Sequence, residues 1–165
     1  MDGFPIGRNF YCKELGMLEI GKEEASSYLF DLGINWSELS VKDKKCCMFL
    51  SENIHKLPFY SDCKTKTFQL CNLSIIVKDF YNRVKKTEQS TLAYKGGHFE
   101  RDLLMNLNIQ SINLEQFGCP KAERLFDQLV WLETCGHHLG EHSYRHCPKV
   151  EVEAFGVWLQ GEIAW

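Results

Sequence analysis

The chain has 165 residues, of which 44% are apolar and 25% are charged, with 12 glycines and 4 prolines. This length and composition are typical of one compact globular domain, and they exclude a disordered or collagen-like chain. The formal net charge is −3, from 19 basic and 22 acidic residues. A nucleic acid or an anionic membrane would therefore have to bind a local basic patch rather than the molecule as a whole.

The sequence has no evident targeting or membrane-spanning segment. Its apolar runs, such as Leu73 to Val77, are far shorter than the roughly 20 residues that cross a bilayer. The first ten residues lack the basic stretch and the apolar core of a secretion signal. We therefore expect an intracellular protein, cytoplasmic or nuclear, with no membrane partner. In such a reducing compartment the 8 cysteines are expected to be thiols or metal ligands rather than disulfides.

The first third of the chain is predicted to form a hairpin, a further strand and a helix. Phe10 to Ile20 has the composition of a strand, and the turn residues before it favour a hairpin with the chain start. Ser27 to Asp31 is a second candidate strand. A helix is predicted from Val41 to His55, with Ser40 as its N-cap.

The rest of the chain is predicted to alternate helices and strands. In order, these elements are a long amphipathic helix from Lys66 to Lys86, a strand from Ser90 to Tyr94, a helix from His98 to Leu107, a strand from Ser111 to Phe117, and helices from Ala122 to Trp131 and from Pro148 to Leu159. The strand, helix, strand unit in the middle is of the kind that builds a parallel strand pair. Because no repeat or linker interrupts the chain, we predict a single mixed α/β domain over residues 1–165.

Cysteine and histidine residues are concentrated near the C-terminus. The segment from Cys135 to Cys147 contains two of the eight cysteines and four of the six histidines. Thiolate and imidazole are ligands that zinc prefers, and the two-residue spacer between Cys135 and His138 lets this pair share one ion. A structural zinc site has four ligands, and the candidates within this segment for the fourth are His137, His142 and His146. The alternative is a loop with incidental histidines and two buried thiols.

The remaining six cysteines are expected to be packing residues of the core. They are Cys12, Cys46, Cys47, Cys63, Cys71 and Cys119.

A further ligand candidate lies on the first long predicted strand. If Phe10 to Ile20 is a strand, Glu14 shares a face with Cys12 and Gly16, whereas Lys13 points the other way. A carboxylate on an apolar face must find a partner or lose its charge. The alternative is a glutamate at the strand edge that is solvated or paired with a lysine.

These residues together resemble a known motif. Glu14 within CKELG, followed by Cys135, His138 and Cys147 in the pattern C-x2-H-x8-C before a helix, is similar to the Glu-Cys-His-Cys zinc motif of the Maelstrom domain. The resemblance implies an RNase H-like fold, in which helices flank a central mixed β-sheet in three layers, related to the DnaQ-type 3′-5′ exonucleases. It implies that these four residues bind zinc. It also implies single-stranded RNA binding or cleavage in RNA silencing.

The exonuclease relationship suggests a set of catalytic acids. Those enzymes carry Asp-x-Glu on the first strand, an Asp after a later strand, and a His followed five positions on by an Asp, and their carboxylates hold two divalent metals. The candidate counterparts here are Asp2, Glu100, Glu151 and His146, with Mg²⁺ or Mn²⁺ as the cofactor. Glutamate replaces aspartate at two positions and the first Asp has no counterpart, so an intact two-metal site is not expected. The alternative is that Glu100, Asp102 and Glu151 are solvated helix acids.

A basic region in the middle of the chain is the candidate contact for nucleic acid. Residues 61–95 contain seven basic and three acidic side chains, a local charge of +4. The candidate nucleic-acid-binding residues are Lys78, Arg83, Lys85, Lys86, Lys95 and the aromatic Tyr94. The alternative is the ordinary solvated face of a helix.

Three functions follow as hypotheses. The first is a zinc-stabilised RNase H-like domain that binds nucleic acid, with single-stranded RNA favoured, and has weak or no nuclease activity. The second is a metal-dependent 3′-5′ exonuclease or phosphodiesterase. The third is a non-enzymatic module that docks a protein partner through its C-terminal segment, where Trp158, Ile163 and Trp165 could form an apolar edge.

Overall fold

The computed structural model describes residues 1–129, 133–140 and 143–163. Within these ranges the protein is mixed α/β, with a mixed four-stranded sheet, a small parallel sheet and four helices. None of the helices in the described ranges is long and apolar enough to cross a membrane. The chain divides into two compact units. Unit 1 is Met1–Leu70 with Ala122–Trp165, and unit 2 is Cys71–Lys121.

The sheet of unit 1 has the strand order β1-β2-β3-β4. Its strands are β1 (Asp2–Ile6), β2 (Asn9–Met17), β3 (Ser26–Asp31) and β4 (Phe68–Gln69). The first three strands are antiparallel neighbours, and β4 is parallel to β3. Gly7 lies in the turn of the first hairpin with a φ of 62°, a left-handed conformation that glycine adopts without steric cost. The predicted hairpin and second strand are confirmed.

The four helices are α1 (Val41–Phe49), α2 (Leu73–Val84), α3 (His98–Asn106) and α4 (Pro148–Ile163). α1 begins where predicted, because the Ser40 hydroxyl accepts a hydrogen bond from the Asp43 backbone N–H and caps the helix. It continues into a π-helical turn, Leu50–Ile54, so the predicted helical extent to about His55 is confirmed.

The helix predicted from Lys66 is wrong in its first part. β4 and a 3-10 turn, Leu70–Asn72, precede α2, which begins only at Leu73. Phe68 pairs with Phe30 on β3, and its ring centroid lies 5.7 Å from that of Tyr28. This long-range strand pairing overrides the local helical periodicity of the sequence.

The predicted strand, helix, strand unit is present in unit 2. β5 (Leu92–Tyr94) is parallel to β6 (Ser111–Asn113), and α3 lies between them in the chain. The second strand is shorter than predicted because a 3-10 turn, Leu114–Phe117, follows it. The Asn113 side chain accepts a hydrogen bond from the Glu115 N–H and so starts that turn.

The α-helix predicted over Ala122 to Trp131 is not formed in the described residues. Two short 3-10 turns, Ala122–Arg124 and Phe126–Gln128, take its place, and the last part of the predicted helix lies outside the described residues. The Leu125 N–H donates to the Ala122 carbonyl and the Leu129 N–H to the Phe126 carbonyl. These tight i to i+3 bonds are those of 3-10 turns rather than of an α-helix.

The cysteines expected in the core are not all buried. Cys12, Cys47 and Cys119 are buried and Cys46 is half-buried, but Cys63 and Cys71 are exposed. The prediction that these last two are packing residues is therefore wrong. Cys63 lies in the irregular segment before β4 and Cys71 in the 3-10 turn before α2, where neither side chain has a core to enter.

Strand β2 is buried on both faces. Lys13 is 1% exposed and Glu14 is fully buried, although they point to opposite sides of the sheet. α4 packs on the Glu14 side. The approach is so close that a Cβ on Gly16 would lie 2.2 Å from the Pro148 carbonyl oxygen. On the other side, the Lys13 ammonium donates to the Phe59 carbonyl, at 3.1 Å, and to the Ser61 hydroxyl, at 2.9 Å.

The buried ammonium of Lys13 should make the stability of the protein rise at alkaline pH. Burial lowers the pKa of Lys13 from 10.5 to about 8. Between these two pH values the unfolded chain holds a proton that the folded chain has lost, so the free energy of unfolding increases with pH. The contribution of this one group is at most about 3 kcal/mol. Urea unfolding of the wild type and of Lys13→Met, from pH 7 to 10.5, measures it. We expect the free energy of unfolding to rise less with pH in the variant than in the wild type. An equal rise in both would contradict the lowered pKa of Lys13.

Candidate metal centre

The structure brings together four side chains that could hold a metal ion. They are Glu14, Cys135, His138 and Cys147, and one ligand atom from each lies within 4.8 Å of all the others. Glu14, His138 and Cys147 are buried, and Cys135 is half-buried. The set is the one implied by the family resemblance.

Three parts of the chain position the four ligands. Glu14 lies in the middle of β2, Cys135 and His138 lie in the described segment 133–140, and Cys147 immediately precedes α4. Because α4 packs on β2, its first residues come close to Glu14 even though the two ends of the site are far apart in the sequence.

Hydrogen bonds fix the orientation of the His138 ring. Its Nδ1 is hydrogen-bonded to the backbone carbonyl of His55. Its Nε2 lies 2.6 Å from Glu14 Oε2. A carbonyl can only accept, so Nδ1 donates its proton to it, and Nε2 faces Glu14, where a metal ion would displace the proton that Nε2 donates to the carboxylate.

No sequence pattern identifies two other parts of this arrangement. The Ser27 hydroxyl donates to Glu14 Oε1 at 2.7 Å, which holds the second carboxylate oxygen. Ser27 lies opposite Gly16 in the β2–β3 register, and that register depends on the folded sheet. The His55 carbonyl is a backbone group, and no residue pattern identifies such an acceptor.

Backbone N–H groups point at both sulfur atoms. The Cys135 N–H lies 3.5 Å from Cys147 Sγ, and the His137 N–H lies 3.4 Å from Cys135 Sγ. Hydrogen bonds to a sulfur favour its negatively charged form. A metal ion requires thiolates as ligands, so the backbone is arranged for the metal-binding state.

The ionisable groups of the cluster shift one another's pKa. Hydrogen bonding from the Cys135 thiol lowers the pKa of Cys147 and raises that of Cys135. Burial alone would lower the pKa of His138, but hydrogen bonds with Cys147 and Glu14 outweigh it and raise this pKa to about 10. Burial alone would raise the pKa of Glu14, and the hydrogen bond with His138 reverses this. The four side chains are therefore linked by shared protons, and a cation at the centre of the cluster could replace those protons.

The other histidines of the segment have different surroundings. His137 is half-buried, and His142 lies outside the described residues. His146 is half-buried, and burial lowers its pKa. Among the described residues, the metal-ligand group takes its fourth member from β2 rather than from these histidines.

The candidate catalytic acids fall into both units. Asp2 begins β1 and Glu151 lies in the first turn of α4, both in unit 1, whereas Glu100 lies on α3 in unit 2. Burial raises the pKa of Asp2 to about 6 and that of Glu151 to about 7, and the negative charge of Asp2 also raises the pKa of Glu151. Asp2 Oδ2 is buried and has no hydrogen-bond partner among the described residues.

The candidate nucleic-acid-binding residues of unit 2 differ in accessibility. Lys78, Arg83 and Lys86 are exposed. The Lys95 side chain is only 10% exposed, and its ammonium lies 3.1 Å from a Glu115 carboxylate oxygen. Lys85 pairs with Glu88 at 3.4 Å, and Tyr94 is half-buried in β5. The first three residues are therefore the most accessible to a phosphate.

The C-terminal docking segment is described only in part. Trp158 is half-buried on α4, and Val157 beside it is exposed. The side chain of Ile163 and the whole of Trp165 lie outside the described parts of the structure.

Comparison of the chain with protein-family models, with curated proteins and with solved structures finds no match in any of the three.

Proposed function

We propose that this protein is a zinc-stabilised RNase H-like domain that binds single-stranded nucleic acid. The observation that carries the proposal is the buried cluster of Glu14, Cys135, His138 and Cys147. The mixed sheet, with an antiparallel hairpin followed by a parallel strand, supports the RNase H-like part.

Zinc is the ion that best suits the donor set. Two sulfurs, one imidazole nitrogen and one carboxylate oxygen are all ligands of zinc, which is normally four-coordinate in structural sites. Magnesium and calcium prefer oxygen ligands alone. Because four protein ligands complete a tetrahedral shell and leave no open position, the role of the ion is structural. The ion would join β2 and the start of α4 to the segment 133–140, which carries Cys135 and His138.

Nucleic-acid binding is supported by exposed basic side chains of unit 2. Lys78 and Arg83 are exposed on α2, and Lys86 follows its end. The Arg83 guanidinium lies 5.4 Å from the centroid of the Phe80 ring, which holds the charge at the surface of the helix. Single-stranded RNA is the favoured ligand because of the family resemblance.

Charge reversal on α2 tests the binding function. We expect the double variant Lys78→Glu with Arg83→Glu to bind fluorescein-labelled oligouridine on the order of tenfold more weakly at low salt, with a smaller dependence on salt. The control is Lys42→Glu with Lys45→Glu on α1, which changes the net charge equally at two exposed lysines. Fluorescence anisotropy measures the affinity of both double variants for the oligonucleotide. Wild-type protein that does not bind the oligonucleotide, or equal losses in both variants, would contradict the assignment.

Metal-dependent cleavage is the second candidate, and the buried Asp2 Oδ2, which has no hydrogen-bond partner among the described residues, favours it. A divalent cation would stabilise the carboxylates of Asp2 and Glu151 in their charged forms. The oligonucleotide from the binding assay, incubated with Mn²⁺ and run on a denaturing gel, tests this. Cleavage that is lost in Glu151→Gln would favour the enzyme over the binding module.

A further inference from the structure

A groove of about 590 Å³ lies beside the metal centre within unit 1. β4 pairs with Phe30 and Asp31 of β3. The residues of β3 before Phe30 form one wall of the groove. Lys66, which precedes β4, and Phe68 within β4 form another. Among the residues that line it are Ser26, Ser27, Tyr28, Lys66, Phe68 and His137.

The lining combines aromatic rings with a cation. The ring centroids of Tyr28 and Phe68 lie 5.7 Å apart, with a tilt of 55°. The Lys66 ammonium lies 5.6 Å from the centroid of the Phe68 ring, and the lysine is exposed. Aromatic side chains on which a base can stack, next to a cation that can pair with a phosphate, are the usual means of binding a single strand.

The polar groups of the groove suit a nucleotide as well. Ser26 and Ser27 are among the lining residues, and because the Ser27 hydroxyl already donates to Glu14, its oxygen can only accept a hydrogen bond from a ligand. Glu24, a carboxylate in the lining, is paired with the Lys149 ammonium at 3.2 Å. This pairing offsets part of its negative charge, and Lys66 supplies a positive charge for a ligand phosphate.

The groove shares two residues with the surroundings of the metal centre. Ser27 donates its hydroxyl hydrogen to Glu14, and His137 lies between the ligands Cys135 and His138 in the chain. A metal ion that orders these ligands would also order one wall of the groove.

We propose that this groove binds one nucleotide of a single-stranded nucleic acid, with the base against Tyr28 and Phe68 and a phosphate on Lys66. The inference rests on the proposed function and adds to it a second contact, in unit 1. It places the bound strand beside the zinc centre, so that loss of the metal weakens this contact.

Charge reversal at Lys66 is the first test. In zinc-loaded protein, we expect Lys66→Glu to weaken binding of labelled oligouridine about tenfold and to reduce its salt dependence. Lys64→Glu is the matched control, since Lys64 is also exposed but is not part of the lining. It should change the affinity less than about twofold. Zinc content and unfolding temperature verify that both variants are folded.

Loss of the aromatic ring is the second test. Tyr28→Ala should weaken binding about fivefold or more, without a change in the salt dependence, because a stacked base is lost and no phosphate contact is. Tyr28→Phe keeps the ring and should bind like the wild type. Photocrosslinking with 5-iodouridine in the oligonucleotide should attach it to Tyr28 or Phe68 even where variants fold poorly.

The outcomes separate this inference from the proposed function. If the wild type binds the oligonucleotide, but Lys66→Glu and Tyr28→Ala bind it equally well and all crosslinks lie on unit 2, the groove proposal is overturned and the function stands. If the wild type does not bind oligouridine at all, both fail. Crosslinking of a peptide strand to the groove, with no competition by oligonucleotide, would also overturn the proposal in favour of a protein ligand.

Discussion

Removing the proposed zinc ion with a chelator should lower the unfolding temperature of this protein by about 10 °C. A ligand that binds only the folded state stabilises it by about 4 kcal/mol when its free concentration is a thousand times its dissociation constant. Each kcal/mol corresponds to about 2–4 °C for a domain of this size. The effect on stability is large because the site joins Glu14 to His138, which are 124 positions apart in the chain.

Metal loss also leaves charges in the interior. Glu14 and the His138 side chain are fully buried, and their ionised pair would remain with only hydrogen bonds to stabilise it. Buried ion pairs often fail to recover the cost of their desolvation. Differential scanning calorimetry with and without a zinc chelator measures the effect, and elemental analysis should find one zinc per chain. Purified protein without zinc, whose unfolding temperature is indifferent to the chelator, would refute the metal centre.

A pair of cysteine variants separates metal binding from packing. Cys147 is fully buried and Cys47 is 1% exposed, so alanine at either position removes one buried sulfur. Cys147→Ala should lose the zinc together with most of the chelator-sensitive stability. Cys47→Ala should keep the zinc and lose only about 1 kcal/mol of packing. Equal zinc contents in the two variants would show that Cys147 is not a ligand.

The ligand set is the part of the site that could be predicted from the sequence. The spacing of Cys135, His138 and Cys147 indicates a shared ion by itself, because the chemistry of zinc fixes both the residue types and a short spacer. The prediction of Glu14 as a ligand also required the alternation of side chains along β2 and the family resemblance. The structure brings these four together.

The parts of the fold that depend on distant contacts could not be predicted. β4 contains only Phe68 and Gln69 and exists because of its pairing with β3, so local periodicity placed a helix there. The strand pattern predicts that Lys13 faces away from the apolar side of β2. Its burial depends on acceptors at Phe59 and Ser61, 46 and 48 positions along the chain. Such partners have no local sequence signature.

Gly16→Ala should destabilise the protein strongly although Gly16 is not a metal ligand. A Cβ at this position would lie 2.2 Å from the carbonyl oxygen of Pro148 and 2.8 Å from the backbone nitrogen of Lys149. These are backbone atoms at the start of α4, so no side-chain rotation relieves the clash. β2 and α4 must move apart, which we expect to destabilise the protein by about 3 kcal/mol.

The same displacement should weaken zinc binding. Gly16 is two residues from Glu14, and Pro148 directly follows Cys147, so the clash separates two of the four ligands. Gly156→Ala is the matched control on α4, because its Cβ would meet only the end of the flexible Leu18 side chain, at 2.4 Å. Alanine is favoured over glycine within a helix by about 1 kcal/mol, so this control should unfold close to the wild type. Competition with a zinc-binding dye and urea unfolding of both variants measure the two effects. A Gly16→Ala protein with wild-type stability and zinc affinity would show that α4 does not pack on β2 at this distance, and that the metal centre does not depend on that contact.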